Sequence, residues 1–216
     1  LRTPLAILDA RIQMLQRGLS DSDPRREVVA QLRDDSRSVI GVVSDLLDAV
    51  EIPTGSITTP ASLAEITGSA VSSMSILARE RDVYLVTRPP EDDLAIAMPA
   101  ASLQRSVVAL LDNAVKHSPA GANVVVAARR EGGYAVIDVV DEGPGIQGIA
   151  PSRIFDRFAR SANAMDGGGS SRTGFGIGLS LVQDTVARYG GTARVSATSS
   201  AGTTITLRVP LFTGRG

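Results

Sequence analysis

The stretch Asp141-Glu142-Gly143-Pro144-Gly145-Ile146 carries the most weight in this chain. It follows directly on an apolar run, Tyr134–Val140, and so puts a carboxylate and two glycines at the end of a strand. Glycines there let backbone approach a flat ligand closely, and the carboxylate can accept a hydrogen bond from an exocyclic amine. The same residue types make ordinary turns, so the hexapeptide alone leaves both readings open.

On its N-terminal side, Asn123–Arg130 alternates like a strand, and Glu131-Gly132-Gly133 supplies the turn of a β-hairpin. Before the hairpin a helix is expected from near Pro99, which suits a first helical turn, to about Ser118. Leu103, Val107, Leu110 and Ala114, with Val108, Leu111 and Val115, give it a wide apolar face. Asn113 shares a face with Lys116 (i+3) and His117 (i+4). An amide and an ammonium facing one way suit a hydrated Mg²⁺ and a phosphate, because Mg²⁺ keeps its waters and takes few protein oxygens. A polar stripe at a helix end, where cations favour the dipole, accounts for the same residues.

On the C-terminal side lies a long loop, 147–173, with a short helix expected around Arg153–Phe158 and a Gly/Ser-rich tract at Gly167–Ser171. Gly174-Phe175-Gly176-Ile177-Gly178-Leu179 then opens a helix reaching about Tyr189, and glycine-rich backbone at a helix N-terminus is a ready anion site. It is not a P-loop, because the only lysine lies elsewhere, and its glycine spacing is not the dinucleotide fingerprint. Strands at Thr192–Ala197 and Thr203–Val209 follow. Upstream, residues 62–80 read as a helix, with short β-like runs at Val83–Thr87 and Leu94–Met98. Together these elements predict an α+β two-layer sandwich, with helices on one face of a mixed sheet.

The first fifty residues differ. Leu1, Leu5, Leu8, Ile12, Leu15 and Leu19 keep a heptad beat, and Val28, Leu32, Val39, Val43, Leu46 and Val50 repeat it. Gly18 and Ser20-Asp21-Ser22-Asp23-Pro24 supply the connection, so a helical hairpin is expected. A hairpin with two apolar stripes cannot bury both alone. A second copy completing a dimeric four-helix bundle is the expected partner, and a lid on the rest of the chain is the alternative.

Composition narrows the chemistry. The 216 residues have a formal net charge of -1, so no basic surface points to nucleic acid. There is no cysteine, which removes disulfides and thiolate nucleophiles. Of 22 basic residues only Lys116 is lysine, and the sole histidine is its neighbour His117. A multi-histidine metal centre is thereby excluded, and a histidine triad would have to pass through His117. No apolar stretch is long enough to span a bilayer. The chain opens in mid-motif at Leu1-Arg2-Thr3-Pro4 and reads as a fragment of something longer.

Nearly the whole chain resembles the catalytic core of a bacterial sensor histidine kinase, whose ATP-binding domain shares the Bergerat (GHKL) fold with the Hsp90, gyrase and MutL ATPases. Leu1-Arg2-Thr3-Pro4-Leu5 is similar to the tail of the H box. Leu110–Ser118 resembles the N box, Asp141–Ile146 the G1 box, Ile154–Phe158 the F box and Gly174–Leu179 the G2 box. Gly202-Thr203-Thr204 and the strand after it resemble the family's closing strand. The resemblance implies a dimerisation and phosphotransfer hairpin over 1–52 and an ATP-binding domain over 57–212 with a lid at 147–173.

By the same resemblance, Asn113 ligates Mg²⁺, and Lys116 and His117 lie near the phosphates of ATP. Asp141 accepts the adenine amino group while Gly143 and Gly145 admit the purine. Gly174, Gly176 and Gly178 anchor the lid, Phe155 and Phe158 pack it, Arg157 reaches toward phosphate, and Arg160 either does the same or belongs to a solvated lid face. Thr204 joins the nucleotide-binding residues. Thr3 orients water for dephosphorylating a response-regulator partner, or is simply a helix-start residue. The activity implied is transfer of the ATP γ-phosphoryl to a hairpin histidine and on to a response-regulator aspartate. A degenerate dimer module acting mainly as a partner phosphatase, or a Bergerat-fold ATPase, are the alternatives. Location is implied as cytoplasmic, with membrane attachment only through segments outside the chain. Two departures stand out. The phosphoacceptor histidine belongs two positions before Leu1, so the chain as given is expected to bind ATP without autophosphorylating. Ala109 also occupies the position of a second N-box asparagine, so weaker metal positioning is expected.

Overall fold

The computed structural model describes residues 2–20, 23–26, 28–29, 32–33, 36, 61–156, 159 and 178–213. Helix α1 spans Arg2–Arg17, and Gly18 ends it by donating its N–H to the Met14 and Leu15 carbonyls at 3.1 and 3.2 Å. The described residues between 25 and 36 are helical, and Asp23 starts them by accepting the Arg25 N–H at 2.9 Å. Arg33 donates to the side chain of Gln16 at 2.9 Å, so the two helical segments lie side by side. The heptad positions from Val39 to Val50 fall outside the described residues.

The remaining elements form a two-layer α+β unit. They are β1 (Ala61–Ser62), α2 (Leu63–Glu80), β2 (Tyr84–Arg88), β3 (Ala95–Ile96), α3 (Ala100–His117), β4 (Asn123–Glu131), β5 (Tyr134–Asp141), a single 3-10 turn (Pro151–Arg153), α4 (Gly178–Arg188), β6 (Thr192–Ser199) and β7 (Gly202–Pro210). Five strands make one sheet in the order β2-β4-β5-β7-β6, with β2 parallel to β4 and every other pair antiparallel. This is the mixed sheet that the sequence predicts. The three helices pack on one face, so alternate strand residues such as Val124, Val126, Ile137, Val139, Ile205, Leu207 and Val209 join Leu103, Val107, Leu110 and Leu111 of α3 in the core. Each of these aliphatic side chains, taken out of water, contributes about 1.5–3 kcal/mol.

Local chemistry sets the boundaries. Ser62 caps α2 by accepting the Glu65 N–H at 3.4 Å and donates to the Asp93 carboxylate at 2.7 Å. It thereby fixes the two-residue ladder between β1 and β3. Such a ladder is too short to leave a periodic signal, and the longer run expected at Leu94–Met98 contracts to it. Pro99 serves as the N-cap of α3 and not as its first-turn residue. Of the helix expected at Arg153–Phe158, Arg157 and Phe158 lie outside the described residues; the described part belongs to the 3-10 turn Pro151–Arg153 and the residues after it, with an Arg153–Asp156 ion pair at 3.0 Å. Gly132 and Gly133 alone join β4 to β5, because Glu131 already pairs with Tyr134.

Candidate functional site

The site lies where the C-terminal ends of α3 and β5 meet the turn between β6 and β7. Strand alternation points Asp141 toward the helix side of the sheet, where only 8% of it is exposed. Its partner across the ladder is Thr203. One carboxylate oxygen, Oδ1, accepts the N–H of Gly143 at 2.9 Å and that of Thr203 at 3.2 Å. Among the described residues no donor reaches Oδ2. Burial pushes the Asp141 pKa above the usual carboxylate value, opposed by the two N–H donors and the nearby His117.

The glycines are there because nothing larger fits. A Cβ on Gly143 would lie 2.8 Å from both the His117 carbonyl oxygen and Asp141 Oδ1. Gly145, at φ +76, would place a Cβ 2.0 Å from the Ser199 carbonyl oxygen. The 141–146 loop is therefore clamped between the end of α3 and the β6–β7 turn. Glu142 adds a third tie: its carboxylate accepts the Asn123 backbone N–H at 2.8 Å.

On α3, Asn113 is half-buried and one turn ahead of Lys116 and His117, as the spacing predicts. The Lys116 ammonium lies 2.7 Å from Asp112. His117 is exposed at the helix end, close enough for its charge to act on Asp141. Ala109 packs against the core one turn before Asn113 and offers no oxygen. Among the described residues no cluster of three or more His, Cys, Asp or Glu could hold a metal. Asn113 alone therefore fits an ion that arrives with phosphate oxygens and its own waters, not one caged by the protein.

Gly178 is the first residue of α4, and Phe155 is buried in the core at 5% exposure. Arg157, Phe158, Arg160, Gly174 and Gly176 lie outside the described residues, as does most of the 147–173 loop. Thr3 is the second residue of α1. Thr204 requires a correction. It pairs with Val140, one residue off the Asp141–Thr203 rung, and alternation therefore turns it to the opposite face of the sheet. The threonine beside Asp141 is Thr203, 8% exposed. Sequence reading also missed Thr198, whose hydroxyl accepts the Ile146 N–H at 2.9 Å. Only the pairing of β6 with β7 reveals it.

Comparison with known proteins agrees with this geometry. The "Signal transduction histidine-protein kinase/phosphatase MprB" of Mycolicibacterium vanbaalenii is 33% identical over 94% of this chain and 42% of its own length. The "Hybrid signal transduction histidine kinase D" of Dictyostelium discoideum is 30% identical over 98% of this chain and 14% of its own. A solved structure, "Mycobacterial sensor histidine kinase MprB", superposes with a TM-score of 0.58 and 28% identity, covering 71% of this chain and 97% of that one. This chain spans less than half the length of either of these two curated relatives. Residues 99–213, which contain α3, the 141–146 loop and the β6–β7 turn, match one family over more than half of the chain. The chain belongs to the histidine kinase-, DNA gyrase B-, and HSP90-like ATPase family.

Proposed function

We propose that this chain is the ATP-binding core of a protein-histidine kinase in a two-component signalling system. Asp141 carries the reading. It is a buried carboxylate with one oxygen held by two backbone N–H groups and the other left to accept from a ligand. Glycines beside it leave room for a planar base and for nothing on their own Cβ. An adenine amino group is a donor of the right kind. Thr203, not Thr204, stands next to it.

Phosphates extending from that base run toward the end of α3, where Lys116 and His117 sit in the last turn. Phosphoryl transfer of this kind is mostly positioning and charge neutralisation. Lys116 supplies fixed positive charge, held by Asp112. Asn113 offers an amide oxygen to Mg²⁺, which when bound neutralises phosphate charge. By the family resemblance, Gly174, Gly176 and Gly178 and the 147–173 segment are assigned to cover the phosphates, and Arg157 to contact them. The acceptor is the hairpin histidine that the H-box resemblance places two positions before Leu1. The γ-phosphoryl leaves ADP for its ring nitrogen and then passes to an aspartate of a response regulator. Thr3, one turn beyond that histidine, positions water for the reverse duty. Residues 1–52 form the phosphotransfer hairpin and 57–212 the ATP-binding domain. Met14 and Leu15, 73% and 61% exposed on α1, support pairing with a second copy.

The test uses a chain extended upstream through the acceptor histidine, incubated with labelled ATP and Mg²⁺. Acid-labile phosphate on the protein is the expected result. Tight ATP binding without transfer points to a degenerate module, and release of free phosphate alone to a simple ATPase; either outcome sinks the kinase reading.

A further inference from the structure

The β6–β7 pairing contains an irregularity that bears on the Asp141 loop. Val195 pairs with Ile205, yet the next rung joins Ala197, not Ser196, to Thr204. Ser196 is therefore an extra residue, a β-bulge. On β7, Ile205 and Thr203 both face the helix side, two residues apart. On β6 the residues facing them are Val195 and Thr198, three apart. In an unbroken ladder Ala197 would face inward and Thr198 outward. The bulge reverses that parity.

Hydrogen bonds on the open face of the sheet hold the bulge. The Ser196 hydroxyl lies 3.3 Å from the Thr204 carbonyl oxygen and 2.8 Å from the Thr206 hydroxyl. Thr206 in turn contacts Asp138, which Arg129 engages. On the inner face the Thr198 hydroxyl accepts the Ile146 N–H at 2.9 Å and lies 3.5 Å from the Thr203 hydroxyl. Backbone contacts lock the same junction: at Gly202, with φ +141, a Cβ would fall 1.9 Å from the Asp141 carbonyl oxygen, so only glycine fits there.

We propose that Thr198 is a positioning residue for the base-binding loop, aimed by the bulge at Ser196 onto the Ile146 N–H so that Gly143 and Gly145 stay open beside Asp141. This rests on the reading of 141–146 as the nucleotide loop. Besides the Glu142–Asn123 contact, two ties hold the loop after Asp141: the Gly143 N–H on the carboxylate and the Ile146 N–H on Thr198. Without the second, the segment 144–146 is fixed at one end only, and the cost appears when the base must order it.

The experiment measures equilibrium binding of ADP and of adenosine to the 216-residue chain and to its Thr198→Val, Thr198→Ser and Asp141→Asn variants. Amide hydrogen exchange at Ile146 is followed in parallel. Losing one hydrogen bond of this kind corresponds to roughly a 3- to 10-fold drop in affinity. Thr198→Val is expected to show that drop for both ligands, with faster Ile146 exchange. Thr198→Ser is expected to restore both readouts to within about twofold of the parent, since it keeps the acceptor. If Thr198→Val does not fold, Thr198→Ala takes its place against the same serine variant. Unchanged affinity in the folded valine or alanine variant, or equal losses in the serine variant, overturns the proposal. A weakened Asp141→Asn beside an unaffected Thr198→Val removes only the role of Thr198. An unaffected Asp141→Asn removes the nucleotide-loop reading itself.

Discussion

At the scale of single residues, Asp141 faces two opposed demands. Burial raises its pKa, so the folded protein favours the protonated acid more than the unfolded chain does. A raised carboxyl pKa contributes stability that is complete below the unfolded value of about 3.9 and is lost as pH rises through the folded value. Above that point the ionised carboxylate is a net burden on the ligand-free fold. Base binding has the opposite sign, because only the ionised oxygen is a pure acceptor. Asp141→Asn is therefore expected to raise or preserve the melting temperature at pH 7. It should also weaken ADP binding by about 10-fold or more, the usual loss for a hydrogen bond to a charged group. In the parent chain, ADP affinity should fall as pH drops toward the acid side. Calorimetric titration with thermal melts at pH 5 and pH 8 reads all three, and an asparagine variant that melts lower yet binds equally well contradicts the account. Ala109 carries a second residue-scale expectation. Replacing it with Asn adds an oxygen one turn from Asn113, so Mg²⁺-dependent enhancement of ATP binding should increase. An unchanged or smaller enhancement would count against the metal assignment.

At the scale of elements, the turn from α2 into β2 is made by Asp82, which sits at φ +54 and offers its carbonyl to the Gly121 N–H at 2.7 Å. That conformation costs a side-chain-bearing residue about 1–2 kcal/mol, less for Asp than for bulky types. Asp82→Gly should raise stability by a few tenths to about 1 kcal/mol and Asp82→Val should lower it by about 1–2 kcal/mol, as read from urea unfolding. A valine variant as stable as the parent would be inconsistent with the turn. Element by element, the sequence revealed what periodicity and turn chemistry can encode. The apolar face of α3, the Gly132-Gly133 hairpin and the strand ending at Asp141 were all legible because each signal is local. The β1–β3 ladder was not, since two residues on each side have no period. Thr204 was misplaced by one residue because strand parity is fixed by a partner 62 or 64 positions away, where Thr203 and Thr204 meet Asp141 and Val140. The Ser196 bulge left no trace in composition, so Thr198 stayed invisible until β6 was paired with β7.

At the scale of the whole molecule, the unresolved demand is apolar surface on the helical segment. A helix in a two-helix hairpin needs one apolar stripe, whereas in a four-helix bundle it packs on two neighbours and needs a broader one. On α1, Ile12 is buried at 8% exposure, while Ile7, Met14 and Leu15 are 49%, 73% and 61% exposed. Val28 and Leu32, in the second helical segment, are 55% and 50% exposed. The band is thus wider than the heptad seam alone, and a second copy is the partner that symmetry supplies most simply. Light scattering on the parent chain should give twice the monomer mass at micromolar concentration. Leu15→Glu places a charge in each half of that contact. It should raise the dimer dissociation constant on the order of 100-fold, the equivalent of about 3 kcal/mol for a lost buried leucine. ADP affinity should stay within about twofold of the parent, because every residue described around Asp141 lies within 99–213. A parent chain that remains monomeric at 100-fold higher concentration would remove the bundle, and a leucine variant that loses ADP binding while dimeric would tie α1 to the nucleotide site instead.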